Sequence, residues 1–120
     1  MRVIIAGNRV ITDYELVKRV VAESGFLITR VLSGRARGAD QLGERWAREH
    51  GVPVLYFPAD WQTFGKGAGF IRNREMAKHA DALIAIRAPP GPGNPDKGTP
   101  DMIKVARAQG LLVHEHVSVA

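Results

Sequence analysis

The apolar positions of this chain fall into five short runs separated by longer amphipathic stretches. The runs are Val3 to Ala6, Ile28 to Leu32, Val54 to Phe57, Ala82 to Ile86 and Leu111 to His114. Several are continuous rather than alternating, as expected of parallel strands covered on both faces. Between them the spacing switches to that of helices. Leu16, Val17, Val20 and Val21 form one stripe, with Asp13 or Thr12 placed to cap its start. Leu42 and Trp46 mark a second helix over about Ala39 to His50, stopped by Gly51. A third covers roughly Gly69 to His79, and a fourth roughly Pro100 to Gln109, with Pro100 suited to its first turn and Gly110 to its end.

Strand–helix alternation predicts an α/β domain with right-handed crossovers. The expected architecture is a three-layer Rossmann-like fold with a mainly parallel sheet of about five strands. A length of 120 residues fits one domain spanning 1–120, with no repeat or linker. The stretch "APPGPGNPDKG" (Ala88 to Gly98) is too rich in proline and glycine for regular structure and predicts a mobile loop; whether it closes as a lid is open.

In an open parallel sheet, ligands bind beyond the carboxyl ends of the strands. The residues that follow each predicted strand are unusual. Gly7, Asn8 and Arg9 follow the first, "SGRARGAD" the second, "PADW" the third, and Arg87 to Thr99 the fourth. Arg9, Arg35, Arg37, Lys66, Arg72, Arg87 and Lys97 all fall in these loops or the helix starts beside them. The formal net charge of +5 is thus gathered on one predicted face, which favours an anionic partner.

"SGRARGAD" comprises Ser33, Gly34, Arg35, Ala36, Arg37, Gly38, Ala39 and Asp40. Gly34 and Gly38 are free to take positive φ and turn backbone N–H groups toward a ligand. Ala39 and Asp40 then open a helix whose first amides attract an anion. Arg35 or Arg37 would add a charge-assisted contact. Asp40 would cap the helix or accept from a ribose hydroxyl. The loop is not a Walker A motif, because Gly65-Lys66 is followed by Gly67, and the first strand lacks the dinucleotide glycine fingerprint.

"GKGAGFIRNREM" puts Phe70, Asn73 and Ala77 on one helical face. Asn73 there must find partners, either by tying down a loop or, with Lys66 and Arg72, by touching a ligand. After the third strand, Asp60 is a ligand candidate, while Trp61 and Phe64 either stack a base or plug the rim of the core. "KGT" sets Gly98 and Thr99 at a second helix start suited to phosphate.

Other chemistries find little support. Cysteine is absent, so there is no disulfide framework or thiol nucleophile. The histidines lack metal-ligand spacing, so neither metal nor cofactor is expected. No run is long enough for a signal peptide or membrane span, and a cytoplasmic protein that does not engage membranes is the default expectation.

Taken in order, "GNR", "SGRARGAD", "PADW", "GKGAGFIRNREM" and "KGTPDM" resemble the SLOG superfamily, the Rossmann-like group shared by Smf/DprA and LOG proteins. The branch they are most similar to is the YspA/YpsA-related family of small stand-alone bacterial and phage proteins. The resemblance implies a pocket for a nucleotide derivative formed by the glycine-rich loops, commonly within a homo-oligomer. The LOG relatives hydrolyse nucleoside monophosphates and carry a glutamate after Gly-Thr-x-x. Here Met102 stands at that place, and Asp101 lies one residue off, about 100° round a helix. A hydrolase would need Asp40, Asp60 or Asp101 as its acid. Three functions follow as expectations: a sensor, carrier or sequestering module for a nucleotide-like small molecule; a nucleotide hydrolase; or a DNA-binding protein related to DprA.

Overall fold

The computed structural model describes residues 1–89, 91–94 and 97–118. Five strands, β1 (Arg2–Gly7), β2 (Arg30–Ser33), β3 (Val54–Tyr56), β4 (Ala82–Arg87) and β5 (Leu112–Val117), form one sheet in the order β3-β2-β1-β4-β5. Every pairing is parallel, with Ile4 opposite Leu32 on one side and Leu83 on the other.

The pleat sends alternate residues of β1 to opposite faces, and both faces are apolar. Val3 and Ile5 pack with Val31, Ala82, Ile84 and Ile86 beneath α1 (Tyr14–Ser24) and α2 (Ala39–Glu49). Ile4 and Ala6 pack with Leu32, Leu83 and Ala85 beneath α4 (Ala68–Lys78) and α5 (Gly98–Ala108). This double coverage explains the uninterrupted hydrophobic runs of β1, β2 and β4. The edge strands differ, because β3 and β5 each have one neighbour and leave Leu55, Tyr56, Leu112 and Val117 exposed.

The helix starts follow local chemistry in one case and not in another. Asp13 caps α1, accepting from the N–H groups of Glu15 at 3.0 Å and Leu16 at 3.3 Å. By contrast, Gly38 is the N-cap of α2 and no side chain caps it; Asp40 lies inside the first turn instead. The sheet-facing stripe of α2 is Ala39, Asp40, Gly43, Glu44 and Ala47, with Leu42 and Trp46 only flanking it. Gly43 lets the helix come close, since a Cβ there would lie 2.7 Å from Ile5.

Sequence periodicity does not register a short helix, α3 (Trp61–Phe64), and the 3-10 turn Gly65–Gly67 that leads into α4. Neither buries a residue, so there is no apolar stripe to read. Helix α5 starts two residues earlier than its proline suggested, with Pro100 in its first turn. In the glycine- and proline-rich stretch, Gly91 and Asn94 close a two-residue turn by an antiparallel bridge, while Pro90, Pro95 and Asp96 lie outside the described residues.

Candidate functional site

Chain order reverses between β1 and β4, because β2 and β3 lie to one side of β1 and β4 and β5 to the other. At such a switch point the loops leaving the two strands diverge and open a crevice. A cavity of about 1000 Å³ lies there, at the upper end of the usual range for small-molecule sites. The first turns of α2 and α5, two helices of 11 residues each, both border it through Gly38, Asp40 and Gln41 and through Gly98 and Thr99. Their N-terminal dipole ends therefore bias one space toward negative charge.

Side chains reinforce that bias. Arg9, Arg37, Lys66, Arg72 and Lys97 line the cavity, and Asp40 is the one carboxylate on its wall among the described residues. Gly7, Asn8, Ala36, Trp61 and Asn73 complete the set of expected site residues that reach it. Thr12, Phe70 and Met76 also line it and were not singled out as ligand candidates, because each reads as an ordinary loop or core residue.

Other expected residues stand off the cavity wall. Ser33 is buried and its hydroxyl donates to Glu44 Oε2 at 2.6 Å. Arg35 pairs with Glu44 at 3.4 Å, and its guanidinium lies 4.7 Å from the centre of the Tyr56 ring. Ala39 is fully buried, and its amide donates to the Asn8 carbonyl at 3.2 Å rather than to a ligand. Asp60 caps α3, accepting from Thr63 N–H at 3.1 Å. Arg87 binds Glu115 at 3.0 Å and borders a separate cleft of about 370 Å³. Of the two arginines in "SGRARGAD", then, only Arg37 reaches the cavity.

Backbone geometry explains that division and corrects one expectation. The left-handed conformation falls on Arg35, at φ 65°, and on Gly38, not on Gly34. What Gly34 supplies is space. A Cβ there would lie 2.5 Å from Arg72 Nη1 and 2.8 Å from Asp40 Oδ2. Through that gap Arg72 Nη1 donates to the Gly34 carbonyl at 2.5 Å, while its Nε donates to Asn73 Oδ1 at 3.0 Å. Asn73 in turn donates to the Gly98 carbonyl at 3.3 Å and to Asp101 Oδ2 at 3.0 Å. Arg72 and Asn73 thus bind the β2–α2 loop, α4 and the start of α5 into one wall.

Asn8 does the same on the other side. Its Oδ1 accepts from Ala88 N–H at 2.6 Å and from the Asn94 amide at 3.2 Å, and its Nδ2 donates to Thr99 Oγ1 at 3.4 Å. Expected as a ligand contact, its side chain is engaged in joining loops 80 to 91 residues away.

Asp40 is 4% exposed, and its carboxylate accepts from Ala36 N–H at 3.4 Å and from Gly7 N–H. Burial pushes its pKa up to about 6, against the opposing pull of Arg72, and the charge on Glu44 adds slightly to the rise. Arg72 is itself held below its ordinary value by burial, offset in part by Asp40. Because the native pKa exceeds the unfolded value of 3.8, the native state holds this proton more tightly. The resulting stabilisation is complete below pH 3.8 and is lost as pH rises through about 6. Relative to Asp40→Asn, the wild type should therefore lose up to about 3 kcal/mol between pH 4 and pH 7. Urea denaturation of both proteins across that range measures it; a pH-independent difference would refute the shift.

Among the described residues no group of three or more histidines and carboxylates is placed to hold a metal, and no helix is long and apolar enough to cross a membrane.

A parallel α/β sheet covered by helices on both faces defines a Rossmann-like protein, and a cavity lined by cationic side chains lies at its switch point. The YspA, cpYpsA-related SLOG family matches residues 1–64, and the chain belongs to that family. It is also similar to the Gene 61 protein of Mycobacterium phage D29, with 36% identity over 122 residues and 93% of each chain covered. No solved structure matches the chain. The family match spans β1 to α3 and so includes Gly7 to Arg9 and Ser33 to Asp40, while Lys66, Arg72, Asn73, Gly98 and Thr99 lie beyond it.

Proposed function

We propose that this protein binds a nucleotide or nucleotide-derived small molecule through its phosphate groups, as a sensor, carrier or sequestering module. The observation that carries this reading is the convergence of two helix N-termini and five cationic side chains on one cavity at the sheet's switch point. Arg37 is the counter-charge with the clearest ligand role. It lines the cavity, and among the described residues no ion pair or hydrogen bond of its side chain competes, whereas Arg72 is engaged with Gly34 and Asn73. SLOG membership supports a nucleotide-related ligand.

A hydrolase is the less supported reading. Met102, at the place where LOG proteins carry their glutamate, faces the cavity as an apolar residue that is 2% exposed. Asp101 turns instead to Asn73 and Arg74, and Asp60 caps α3. Only Asp40 is left as a candidate acid on the wall. The DNA-binding reading draws on the net charge and on the resemblance to DprA, but the cations gather in a concavity rather than along a groove.

Isothermal titration with nucleoside mono- and diphosphates tests the proposal. Arg37→Ala should weaken binding at least tenfold, on the scale of about 1.5–3 kcal/mol for a hydrogen bond to a charged group. Equal affinity in the two proteins would remove Arg37 from the pose. Chromatography of the same nucleotides after prolonged incubation should recover them intact. Release of free base would move the assignment to the hydrolase.

A further inference from the structure

The cavity wall is not cationic throughout, and its apolar part has a definite shape. Trp61, on α3, and Phe70, in the first turns of α4, both line it, and they remain 53% and 39% exposed. Neither ring packs into the clusters on the two faces of the sheet, where Trp46, Phe26 and Phe57 do pack. Rings left this far out of the core are not plugging it.

Their placement is tied to the cations. Gly69 has no side chain, and the Trp61 ring edge lies over it, with Cη2 3.5 Å from the position a Cβ would take. Arg72 Nη2 is 3.8 Å from that same position. The indole edge from α3 and the Arg72 guanidinium thus both come within 4 Å of one point over the first turn of α4, and Lys66 of the preceding 3-10 turn lines the same cavity. A free phosphate would use the cations and leave both rings in water. A ligand that joins a flat aromatic group to an anion uses both, since stacking on an indole removes apolar area from water and is tolerant of the heterocycle.

We infer that Trp61 and Phe70 form the base subsite of the cavity and that Trp61 determines the preference for a nucleoside phosphate over a sugar phosphate. This inference rests on the anion-binding reading above and specifies the remaining half of the ligand.

The test compares ribose 5-phosphate with AMP, GMP, CMP and UMP by titration calorimetry on the wild type, Trp61→Ala and Trp61→Phe. At least one nucleotide should bind the wild type tenfold or more tightly than ribose 5-phosphate. Trp61→Ala should bring the two within about threefold by weakening the nucleotide alone, and Trp61→Phe should restore most of the difference. Trp61 and Trp46 are the two tryptophans of the chain, so nucleotide-dependent fluorescence quenching should be present in the wild type and absent from Trp61→Ala. The side chain is half exposed on a four-residue helix, and the melting temperature of Trp61→Ala should match the wild type within about 2 °C. Equal binding of sugar phosphate and nucleotides, or a tenfold preference that survives Trp61→Ala, overturns the inference while leaving the anion pocket standing. Failure of ribose 5-phosphate and of all four nucleotides to bind overturns both.

Discussion

Gly38→Ala should unfold the protein well below the wild-type melting temperature and abolish ligand binding in whatever remains folded. Gly38 sits at φ 81°, ψ −127°, a combination that a residue with a Cβ adopts only under strain. The added methyl carbon would also lie 2.4 Å from the Asn8 carbonyl oxygen and 2.6 Å from that of Arg9. Both obstacles are backbone, and the Asn8 carbonyl is already held by the amides of Ile11 and Ala39. Relief therefore requires the β1–α1 loop and the start of α2 to separate, which dismantles the cavity. Strain and overlap together predict a loss of about 3 kcal/mol or more, a fall of roughly 10 °C in melting temperature. Gly51→Ala is the comparison, since Gly51 has φ 66° but nothing within 4 Å of a new Cβ. It should cost only about 1 kcal/mol. Equal melting temperatures for the two variants would show that the turn at Gly38 relaxes freely.

Asn8→Ala should be the second most damaging change, although it removes only a small polar side chain. Asn8 is 3% exposed, and its amide is the junction between the end of β1, the start of the β4–α5 loop at Ala88, and Thr99 of α5. Deleting it orphans the Ala88 N–H and removes a partner from the buried Thr99 and from Asn94. At about 1–3 kcal/mol for each buried group left unsatisfied, a total loss of roughly 2–4 kcal/mol follows. Asn94→Ala removes one arm of the junction and leaves the 2.6 Å bond to Ala88, so it should cost about 1 kcal/mol. Chemical denaturation separates the two, and amide exchange at Ala88 locates the damage. If exchange there is unchanged in Asn8→Ala while the rest of the loop opens, Asn8 is not the junction.

The contrast between Arg35 and Arg37 shows how much of the site could be read from the chain. Two positions apart in one loop, they look equivalent as counter-charges. A strand or helix would fix their relative direction by its period, but the turn has none. The left-handed φ of Arg35 is what parts them. One side chain goes to Glu44 and Tyr56 and the other to the cavity. Asp40 shows a different kind of gap. Its position at the start of α2 was legible, but the cap it suggests is absent, because the carboxylate turns inward to Ala36, Gly7 and Arg72. Trp61 and Phe64 were visible as a choice between stacking and core. Their exposure and their absence from both core clusters decide against the core.

By itself the sequence determined the layers and the location of the chemistry. Several continuous apolar runs imply parallel strands covered on both faces, and the residues beyond the carboxyl ends of such strands share one face. Those consequences depend on local periodicity and on the handedness of crossovers, both of which are written residue by residue. Tertiary structure alone decided the strand order, the switch point between β1 and β4, and the roles of individual polar side chains. Asn8 with Ala88, Arg72 with Gly34 and Asn73 with Gly98 are contacts 80, 38 and 25 residues apart. Such bonds form because a buried amide or guanidinium must find a partner wherever the packed sheet brings one. No spacing rule along the chain specifies which partner that will be.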